Sequence, residues 1–446
     1  GAPESLLPLC SRRLTPTGAD AVDIDELLQR SEQLAQDGYR VLALAFRRLD
    51  RLPAEPSPEA VETDLTLLGL VGLIDPPREE VYQSIHDCDS AGITAVMITG
   101  DHPGTALAIA KRLGIGTQDG VMTGDELAQI PLSEFVERVK DVRVYARVSP
   151  EQKIKIISAL QQRGEYVAMT GDGDNDAPAL QQANIGVAMG LKGTDVAREA
   201  SDMVLKDDNF ATIVRAVREG RRIFDNIRKF IKYTMTSNSG EIWVIFLAPF
   251  IGLPLPLLPI QILWINLVTD GLPGLALSAE PHERGIMQRA PRDPQESIFA
   301  QGMWQHIVWV GLLIGSLSLA AQAWAYHGGS ENWQTVVFTT LTFCQLAQVL
   351  VIRSENDSLL TIGLLSNPHL LAAIAFTIGL QLLVIYVPLL NRIFHTSPLT
   401  IQELAVCILL PLVVIFAVEV EKWLFRRGRI YQAGGRNEKG QANTTP

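Results

Sequence analysis

The chain has 446 residues, 47% of them hydrophobic, and a formal net charge of −11 at pH 7. This acidic balance argues against a nucleic-acid partner, which would require a basic face. The cysteines and histidines show no metal-ligand or disulfide spacing, so neither a zinc site nor a disulfide framework is predicted.

Residues 1–74 form the first predicted domain. The segment 37–45 combines a turn with an apolar run and predicts a strand that begins near Arg40. Three prolines within residues 52–58 predict a linker or an exposed loop. The apolar segment 64–74 predicts a further strand, which is expected to lead back into the following domain.

Residues 75–225 form the second predicted domain. Short apolar strands alternate there with amphipathic helices, a pattern typical of an α/β fold with a parallel sheet. The strands are predicted at residues 94–98, 142–146, 166–169 and 185–188. The sequence Ser149-Pro150-Glu151 predicts the start of a helix, because serine is a good N-cap and proline suits the first turn. A basic helix over residues 220–232 is expected to continue unbroken into the first membrane helix.

The most informative motif is TGDGDNDAPAL at residues 170–180, directly after the predicted strand 166–169. Its position predicts that Asp172 and Asp176, with Asn175 between them, lie at the carboxyl edge of the sheet, where open α/β folds bind ligands. Two carboxylates and an amide suit a Mg²⁺ ion that is shared with a phosphate. The alternative interpretation is a polar turn that only reverses the chain.

Lys153 lies near the start of the helix that begins at Ser149, and it is expected to approach the same sheet edge. A lysine at that position can neutralise a phosphoryl group and stabilise developing charge. Lys155 is the competing candidate, but its side chain points about 200° further round the helix.

The second half of the chain contains long uncharged stretches, and several approach the roughly 20 residues that cross a bilayer. They lie at residues 242–251, 257–267, 307–324, 336–352, 370–390 and 404–418. Buried core helices would explain a single stretch. Together the stretches predict an all-α membrane domain of six transmembrane helices over residues 226–428, followed by a flexible tail over residues 429–446. Basic residues flank these helices on one side, so the soluble half and the C-terminus are predicted to be cytoplasmic.

Ionisable side chains inside membrane helices are costly, which makes each of them a functional candidate. Asn238 lies three residues before Glu241, and Asn266 lies four before Asp270, so each pair shares a helix face. Together with Thr269, these residues predict an oxygen cage for a hard cation, close to helix breaks that release backbone carbonyls. The alternative is an interhelical hydrogen-bond network that only holds the helices together.

These motifs, in this order, resemble those of the P-type ATPases, the ion pumps that form an aspartyl-phosphate on a haloacid-dehalogenase-like domain. The matching segments are DPPR at residues 75–78, TGD at 99–101, ARVSP at 146–150 followed by Lys153, TGDGDNDAPAL at 170–180, and NLVTDG at 266–271. The last segment is similar to the ion-binding membrane helix of the calcium-pump branch. The resemblance extends over nearly the whole chain.

The resemblance implies a fold and a set of roles. Residues 1–74 would be the C-terminal part of a nucleotide-binding domain, and residues 75–225 a Rossmannoid, haloacid-dehalogenase-like phosphorylation domain. The implied cofactors are ATP and Mg²⁺, with Mg²⁺ held by Asp172 and Asp176. The implied residues of the phosphoryl and nucleotide sites are Thr99, Gly100, Asp101, Lys153 and Asn175, joined by Asp172 and Asp176 in catalysis and by Arg40 and Arg78 at the nucleotide.

The sequence departs from the family pattern in several places. The family's phosphorylated aspartate, actuator loop and first four membrane helices have no counterpart, so the chain resembles the C-terminal half of a pump. It is expected to need the N-terminal half as its partner and to be inactive alone. Asp174 stands where the calcium-pump branch usually has an apolar residue, and Gln345 stands where two-ion calcium pumps have a glutamate.

The predicted function is ATP-driven cation export from the cytoplasm by a multi-pass membrane protein, with Ca²⁺ as the ion. Gln345 offers a neutral oxygen in place of a charged carboxylate, so one Ca²⁺ per ATP is expected. A pump for Na⁺, Mn²⁺ or H⁺ is the alternative within the family, because carboxylates and amides also bind those ions. A membrane-anchored phosphatase or regulatory protein without transport is the alternative from another class.

Overall fold

The computed structural model describes residues 1–49, 57, 61–74, 77–116, 120–355 and 357–431. The chain divides into two compact units, one of Gly1–Val217 with Met287–Pro291 and the other of Arg218–Ile286 with the residues from Arg292 onward. Most of the predicted linker 52–58, the Asp75-Pro76 pair of the DPPR motif and most of the predicted tail lie outside the described residues. The predicted domain boundaries at residues 74 and 225 stay predictions.

The first unit begins with a mixed four-stranded sheet in the order β2-β1-β4-β3. Its strands are β1 Cys10–Thr15, β2 Gly18–Ala21, β3 Arg40–Phe46 and β4 Leu65–Leu73. The strand predicted near Arg40 is confirmed as β3. The return of the chain from this segment to the following domain stays a prediction. The strand predicted at residues 64–74 is present as β4. It pairs with β1 on one side and with β3 on the other, so it is held inside this sheet.

The remaining strands of the first unit form two parallel three-stranded sheets, in the orders β5-β7-β6 and β10-β9-β8. These strands are β5 Met97–Ile98, β6 Met122–Thr123, β7 Val144–Ala146, β8 Ala168–Gly171, β9 Ile185–Met189 and β10 Met203–Leu205. The predicted parallel pairing is confirmed. The described strands fall into two hydrogen-bonded sets, because none of them pairs with strands of both. Several strands are also shorter than predicted, since only the residues that face a hydrogen-bonded neighbour are extended as strand.

Short helices surround these sheets. They are α1 Pro3–Leu6, α2 Ile24–Gln36, α3 Glu79–Ser90, α4 Pro103–Leu113, α5 Gly124–Gln129, α6 Leu132–Arg138, α7 Pro150–Gln162, α8 Ala177–Gln182 and α9 Asp195–Glu199. The predicted start of α7 is confirmed: the Ser149 hydroxyl accepts from the Gln152 backbone N–H, and the Gln152 side chain accepts from the Ser149 N–H. This capping box fixes the first turn of the helix that carries Lys153.

Helix α7 packs against both parallel sheets through two different sides. Ile156 packs in one buried cluster with Tyr145 of β7, whereas Ile157 packs in another with Met169 of β8. Neighbouring positions on a helix lie about 100° apart, so one helix can serve two clusters. The two sheets are therefore held together by a shared helix, and the first turn of α7 lies where β8 ends.

The second unit is helical. Helix α10, Phe210–Phe250, begins in the first unit and continues into the second. The other helices are α11 Pro259–Trp264, α12 Gly271–Leu277, α13 Met303–His327, α14 Trp333–Val351, α15 Leu359–Ile362, α16 Pro368–Tyr386, α17 Pro388–Phe394, α18 Ile401–Leu409 and α19 Pro411–Arg426. The basic stretch 220–232 lies within α10, which is one continuous helix of 41 residues, as predicted. A π-helical segment, Ile265–Thr269, joins α11 to α12.

Five helical segments are long and apolar enough to cross a membrane: Pro259–Leu277, Met303–His327, Trp333–Val351, Pro368–Tyr386 and Ile401–Arg426. The chain is accordingly a multi-pass integral membrane protein, as predicted. The sixth predicted crossing, at residues 242–251, is the end of α10. Polar residues such as Asn238 and Glu241 lower the hydropathy of that helix, so this crossing stays a prediction.

Candidate functional site

The loop after β8 has a compact structure that depends on Gly171. The strand ends at this glycine, a 3₁₀ turn follows at Asp174–Asp176, and α8 begins at Ala177. A Cβ atom on Gly171 would lie 2.5 Å from the Asp176 Cβ, so no larger residue fits without a shift of the loop. Asp176 Oδ2 accepts the backbone N–H groups of Asp172 and Gly173, both at 3.3 Å. Asp176 therefore organises the turn that presents Asp172.

Lys153 lies at this loop, and Lys155 does not. Lys153 Nζ is 2.5 Å from Asp176 Oδ1, in a pair whose side chains are only 17% and 11% exposed. Lys155 Nζ instead donates to the carbonyls of Leu127 and Ile130, at 2.7 and 2.5 Å. These carbonyls lie at the end of α5, where a cation is favourable. Lys155 thus has a structural partner, and Lys153 is the lysine available to a phosphoryl group beside the loop.

The two aspartates of the loop have different environments, which bears on the predicted Mg²⁺ site. Both oxygens of Asp176 are engaged, one by Lys153 and the other by backbone N–H groups. Asp172, by contrast, has an exposed side chain at the end of the strand. Mg²⁺ is usually bound by one or two carboxylates together with waters and substrate phosphates. The residues fit such an ion, with Asp172 as the accessible carboxylate and Asp176 as a supporting residue.

Sequence reasoning missed Thr194, which supports the Asp172 backbone, and Asp208, which holds the loop after β9. The Thr194 N–H donates to the Asp172 carbonyl at 2.9 Å, and the Thr194 hydroxyl caps α9. Asp208 accepts the backbone N–H groups of Leu191 and Lys192 at 2.9 and 2.8 Å, which lowers the pKa of its carboxyl. The φ of Asp208 is +47°, an uncommon value for a residue other than glycine. Bonds between residues so far apart in the chain leave no periodic signal in a sequence.

The other predicted nucleotide residues lie on exposed segments of the same unit. In the loop after β5, the Thr99 hydroxyl donates to Asp101 Oδ2 at 3.2 Å, and the Thr99 N–H donates to the Tyr145 carbonyl at 3.0 Å. Arg40 is the exposed first residue of β3. Arg78 Nη1 donates to the Asp208 carbonyl at 3.2 Å. Hydrogen bonds bring Lys153 and Asp176 together at the Asp172 loop, which also carries the exposed Asn175. In the described residues no hydrogen bond joins the Thr99 loop or Arg40 to this loop.

Substitution of Gly171 by alanine is expected to destabilise the full-length protein by about 1–3 kcal/mol, because the added Cβ forces Asp176 and its neighbours apart. Thermal unfolding measures this loss. Gly173→Ala is the matched control, since a Cβ at Gly173 would meet nothing closer than 3.8 Å. Equal unfolding temperatures for the two variants would show that the close approach at Gly171 does not affect the stability of the protein.

A second cluster of predicted residues lies in the helical unit. Glu241 Oε2 accepts from Asn266 Nδ2 at 3.1 Å, and Glu241 Oε1 accepts from Gln345 Nε2 at 3.2 Å. Glu241 is 5% exposed, and Gln345 is fully buried. Three helical segments therefore meet at one carboxylate: α10, the π-helical segment and α14. The structure brings Glu241 and Asn266 together, as their shared chemistry predicts, and places Gln345 beside them.

Asp270 is buried at 3% exposure, yet neither of its carboxylate oxygens accepts a hydrogen bond in the described part of the chain. The side-chain oxygens of Ser237, Thr269 and Gln345 are buried and equally unpartnered. Tyr233 and Ser237 lie near the carboxylate. Leaving a buried polar group without a partner costs roughly 1–3 kcal/mol, and a charged group costs more. A set of such oxygens is therefore suited to an added ligand.

The backbone next to Asp270 departs from the α-helix. The Asp270 N–H donates to the Ile265 carbonyl, five residues back, at 2.9 Å. The Tyr233 hydroxyl donates to the Thr269 carbonyl at 3.0 Å. A π-turn inside a helix is rare and is frequent at functional sites. Pro273 and Gly274 are residue types that usually break helices, but both lie inside α12.

The chemistry of this cluster fits a hard cation. In the described residues no group of three or more His, Cys, Asp or Glu side chains could hold a metal ion. The donors are instead mixed oxygens, namely two carboxylates with the amide of Gln345 and the hydroxyls of Ser237 and Thr269. Asn238 is half-buried on α10, and no contact places it in the cluster. Ser237 was missed from the sequence, although its position four residues before Glu241 puts both on one helix face.

Comparisons with known proteins relate both units to one kind of protein. Residues 254–424 match the family model described as cation transporting ATPase, C-terminus, and residues 16–184 and 153–217 match two models described as haloacid dehalogenase-like hydrolase. The calcium-transporting ATPase of Bacillus subtilis is 48% identical over 408 residues, which are 90% of this chain and 46% of that protein. Calcium-transporting ATPase 1 of Bacillus cereus is 40% identical over 444 residues, which are 95% of this chain and 50% of that protein. The chain spans about half the length of the curated relatives it matches.

Proposed function

Because the chain belongs to the family of P-type cation-transporting ATPases, we propose that the full-length protein couples ATP hydrolysis to cation transport through an aspartyl-phosphate intermediate. One observation carries the transport half of this proposal. Buried oxygens of Asp270, Thr269 and Gln345 lack protein partners among the described residues, within segments that can cross a membrane, and the buried carboxylate of Glu241 lies beside them. A membrane anchor has no use for such costly groups, whereas a pump requires them.

The phosphoryl half of the function rests on the loop after β8. Asp172 is exposed at the end of a strand and would hold Mg²⁺, which neutralises phosphoryl oxygens when bound. Lys153 is held beside it by Asp176 at 2.5 Å, so its ammonium group is already oriented toward the loop. An oriented cation that need not reorganise stabilises developing charge efficiently. Thr99, Gly100, Asp101, Asn175, Arg40 and Arg78 are assigned to the nucleotide by their match to the family motifs.

We assign Ca²⁺ as the transported ion and the cytoplasm as its source. The oxygen-only donor set supports a hard cation, and the similar proteins of both Bacillus species are named calcium-transporting ATPases. The basic residues that flank the membrane helices support a cytoplasmic location for the first unit and the C-terminus. The family pattern further implies that the N-terminal half of the pump supplies the phosphorylated aspartate.

Phosphoenzyme formation from ATP tests the function directly. The full-length protein is titrated separately with Ca²⁺, Na⁺, Mn²⁺ and H⁺, and phosphoenzyme is expected to rise with Ca²⁺ alone. A rise with another ion would support the transport function but identify that ion as the transported cation. Normal phosphatase activity without any ion-dependent phosphorylation or ATP-driven flux in vesicles would instead favour a membrane-anchored phosphatase.

We expect one Ca²⁺ per ATP, because Gln345 contributes a neutral amide to the Glu241 side of the cluster. Gln345 donates its Nε2 hydrogen to Glu241, so this side chain points its amino group at the carboxylate. Calcium affinity depends strongly on the number of charged ligands, so a second site here should be weak. The measurement is isotopic Ca²⁺ occlusion per phosphorylation site at saturating ion.

The Gln345→Glu variant sharpens the stoichiometry test. It adds a carboxylate next to Glu241 and is expected to raise occlusion from one ion toward two. Gln381→Glu is the control, because Gln381 is also fully buried in the helical unit but its hydrogen bonds go to Trp264 and Thr339, not to Glu241. Two occluded ions in the unmodified protein would contradict the prediction.

A further inference from the structure

An apolar groove of about 370 Å³ lies in the helical unit where α19 approaches α13. Phe416, Ala417, Val420 and Leu424 of α19 line one wall, and Trp309 of α13 lines another. Phe416 is 71% exposed, so the groove opens on the side that faces lipid. The lining residues of α13 and α19 lie within the membrane-crossing segments Met303–His327 and Ile401–Arg426.

The chain after α19 closes one end of this groove. Ile430 and Tyr431 complete its lining, and the Tyr431 ring packs directly over Gly302 at the start of α13. A Cβ at Gly302 would lie 2.3 Å from the ring, so the ring fits only because residue 302 is glycine. The segment after the last crossing helix thereby turns an open furrow between two helices into a pocket with an end wall.

The floor of the groove contains polar side chains that form hydrogen bonds with one another. Glu421 Oε1 accepts from Trp309 Nε1 at 3.0 Å and from the Tyr431 hydroxyl at 2.8 Å. Glu421 Oε2 is 2.6 Å from His306 Nδ1. Burial raises the pKa of the Tyr431 hydroxyl above its usual value, so this group remains a donor at physiological pH. Because the Glu421 oxygens, Trp309 Nε1 and the Tyr431 hydroxyl engage one another, the walls of the groove offer a ligand hydrocarbon contacts.

The rim of the groove is basic. Arg427 lies over the Trp423 ring at 4.1 Å, one turn beyond Leu424, and the exposed Arg429 immediately precedes Ile430. Tryptophan and arginine at the end of a crossing helix mark the level of the lipid headgroups. Basic residues at that level attract anionic headgroups, while the apolar walls below them match an acyl chain.

We propose that this groove binds one phospholipid with an anionic headgroup, its acyl chain lying against α19 and Trp309 and its phosphate at Arg427 and Arg429. The site is built by the protein and is separate from the ion cluster at Glu241 and Asp270. An ordinary boundary lipid would show no headgroup preference, whereas this arrangement selects negative charge. Each arginine is expected to raise the affinity for an anionic lipid about fivefold. Together the two arginines predict a preference of about 25-fold for an anionic over a zwitterionic lipid.

Native mass spectrometry of the full-length protein tests the proposal. The delipidated protein is offered equimolar phosphatidylglycerol and phosphatidylcholine with identical acyl chains, and one phosphatidylglycerol per protein is expected to remain bound. The double variant Arg427→Gln with Arg429→Gln should lose the preference. Arg284→Gln with Arg289→Gln removes the same charge from exposed positions elsewhere and should keep it. Equal retention of both lipids by the unmodified protein would overturn the proposal.

A second pair of variants tests the groove itself. Ala417→Trp fills the groove and is expected to abolish retention of phosphatidylglycerol. Ala405→Trp makes the same change on an exposed position of α18 and should leave retention intact. Thermal unfolding of both variants in phosphatidylcholine checks that they are folded. Retention by a folded Ala417→Trp variant equal to that of the Ala405→Trp variant would place the lipid elsewhere and reject the site.

Discussion

The Asp270→Asn variant of the full-length protein is expected to lose cation-dependent phosphorylation from ATP while phosphorylation from inorganic phosphate continues. Both oxygens of this carboxylate are buried and unpartnered, so the charge is available to an ion and contributes no hydrogen bond to the protein. Loss of a charged ligand should reduce the apparent cation affinity by at least about 100-fold, since outer-shell changes alone cost 10–100-fold. In this family, phosphorylation from phosphate requires an empty ion site and should survive.

Glu403→Gln provides the matched control for Asp270→Asn. Glu403 is also a buried acid of a membrane helix, at 6% exposure, but its oxygens are engaged by Thr400, Asn332 and Ser330. The same acid-to-amide change there should leave the cation dependence intact. If Asp270→Asn abolished both phosphorylation reactions, the residue would be structural and the ion cluster would lose its central member.

The Asp172→Asn variant is expected to form no measurable phosphoenzyme, with expression close to that of the unmodified protein. Asp172 is exposed at the end of β8 and its side chain supports no packing, so its loss should spare the fold. The missing carboxylate removes the accessible ligand for Mg²⁺, without which the charge of the phosphoryl group is not neutralised. A decrease of at least about 100-fold in the initial rate of phosphorylation is expected.

Asp174→Asn is the control for this second prediction. Asp174 is an equally exposed aspartate two residues away, at the start of the 3₁₀ turn. Its substitution changes the same charge in the same loop and should leave phosphorylation within about twofold of normal, as for ordinary surface changes. Equal losses in the two variants would mean that the loop responds to its total charge, and Asp172 would then have no individual role.

The sequence allowed a sound prediction wherever the chemistry depends on local spacing. The N-cap at Ser149 and the helical period correctly selected Lys153 over Lys155 as the lysine beside the loop, because both follow from positions a few residues apart. The parallel strands and the apolar helices were predictable for the same reason. Periodicity and capping involve residues within one or two helical turns, so these patterns in the sequence are found again in the structure.

The features that sequence reasoning missed depend on partners distant in the chain. The pairing of β4 with β1 and β3 joins residues 20 or more positions apart, so the apolar segment 64–74 alone gave no sign of its sheet. The engagement of both Asp176 oxygens, which leaves Asp172 as the accessible carboxylate, likewise depends on the folded loop. The π-helical segment before Asp270 carries no characteristic residue pattern, so it could not be read from composition.

The π-helical segment Ile265–Thr269 also has a meaning for protein engineering. A π-turn accommodates one more residue than an α-turn over the same stretch, so this segment behaves as a tolerated single-residue insertion. Deleting one residue elsewhere in a regular membrane helix leaves the helix regular but shifts every side chain that follows. Deletion of Val268 would instead convert an irregular helix into a regular one, while rotating the residues before it relative to Asp270 by about 100°. The extra residue therefore sets how far the part of the helix before Asp270 is rotated relative to the part after it. A deletion that makes the helix regular is thus expected to disrupt the proposed ion site.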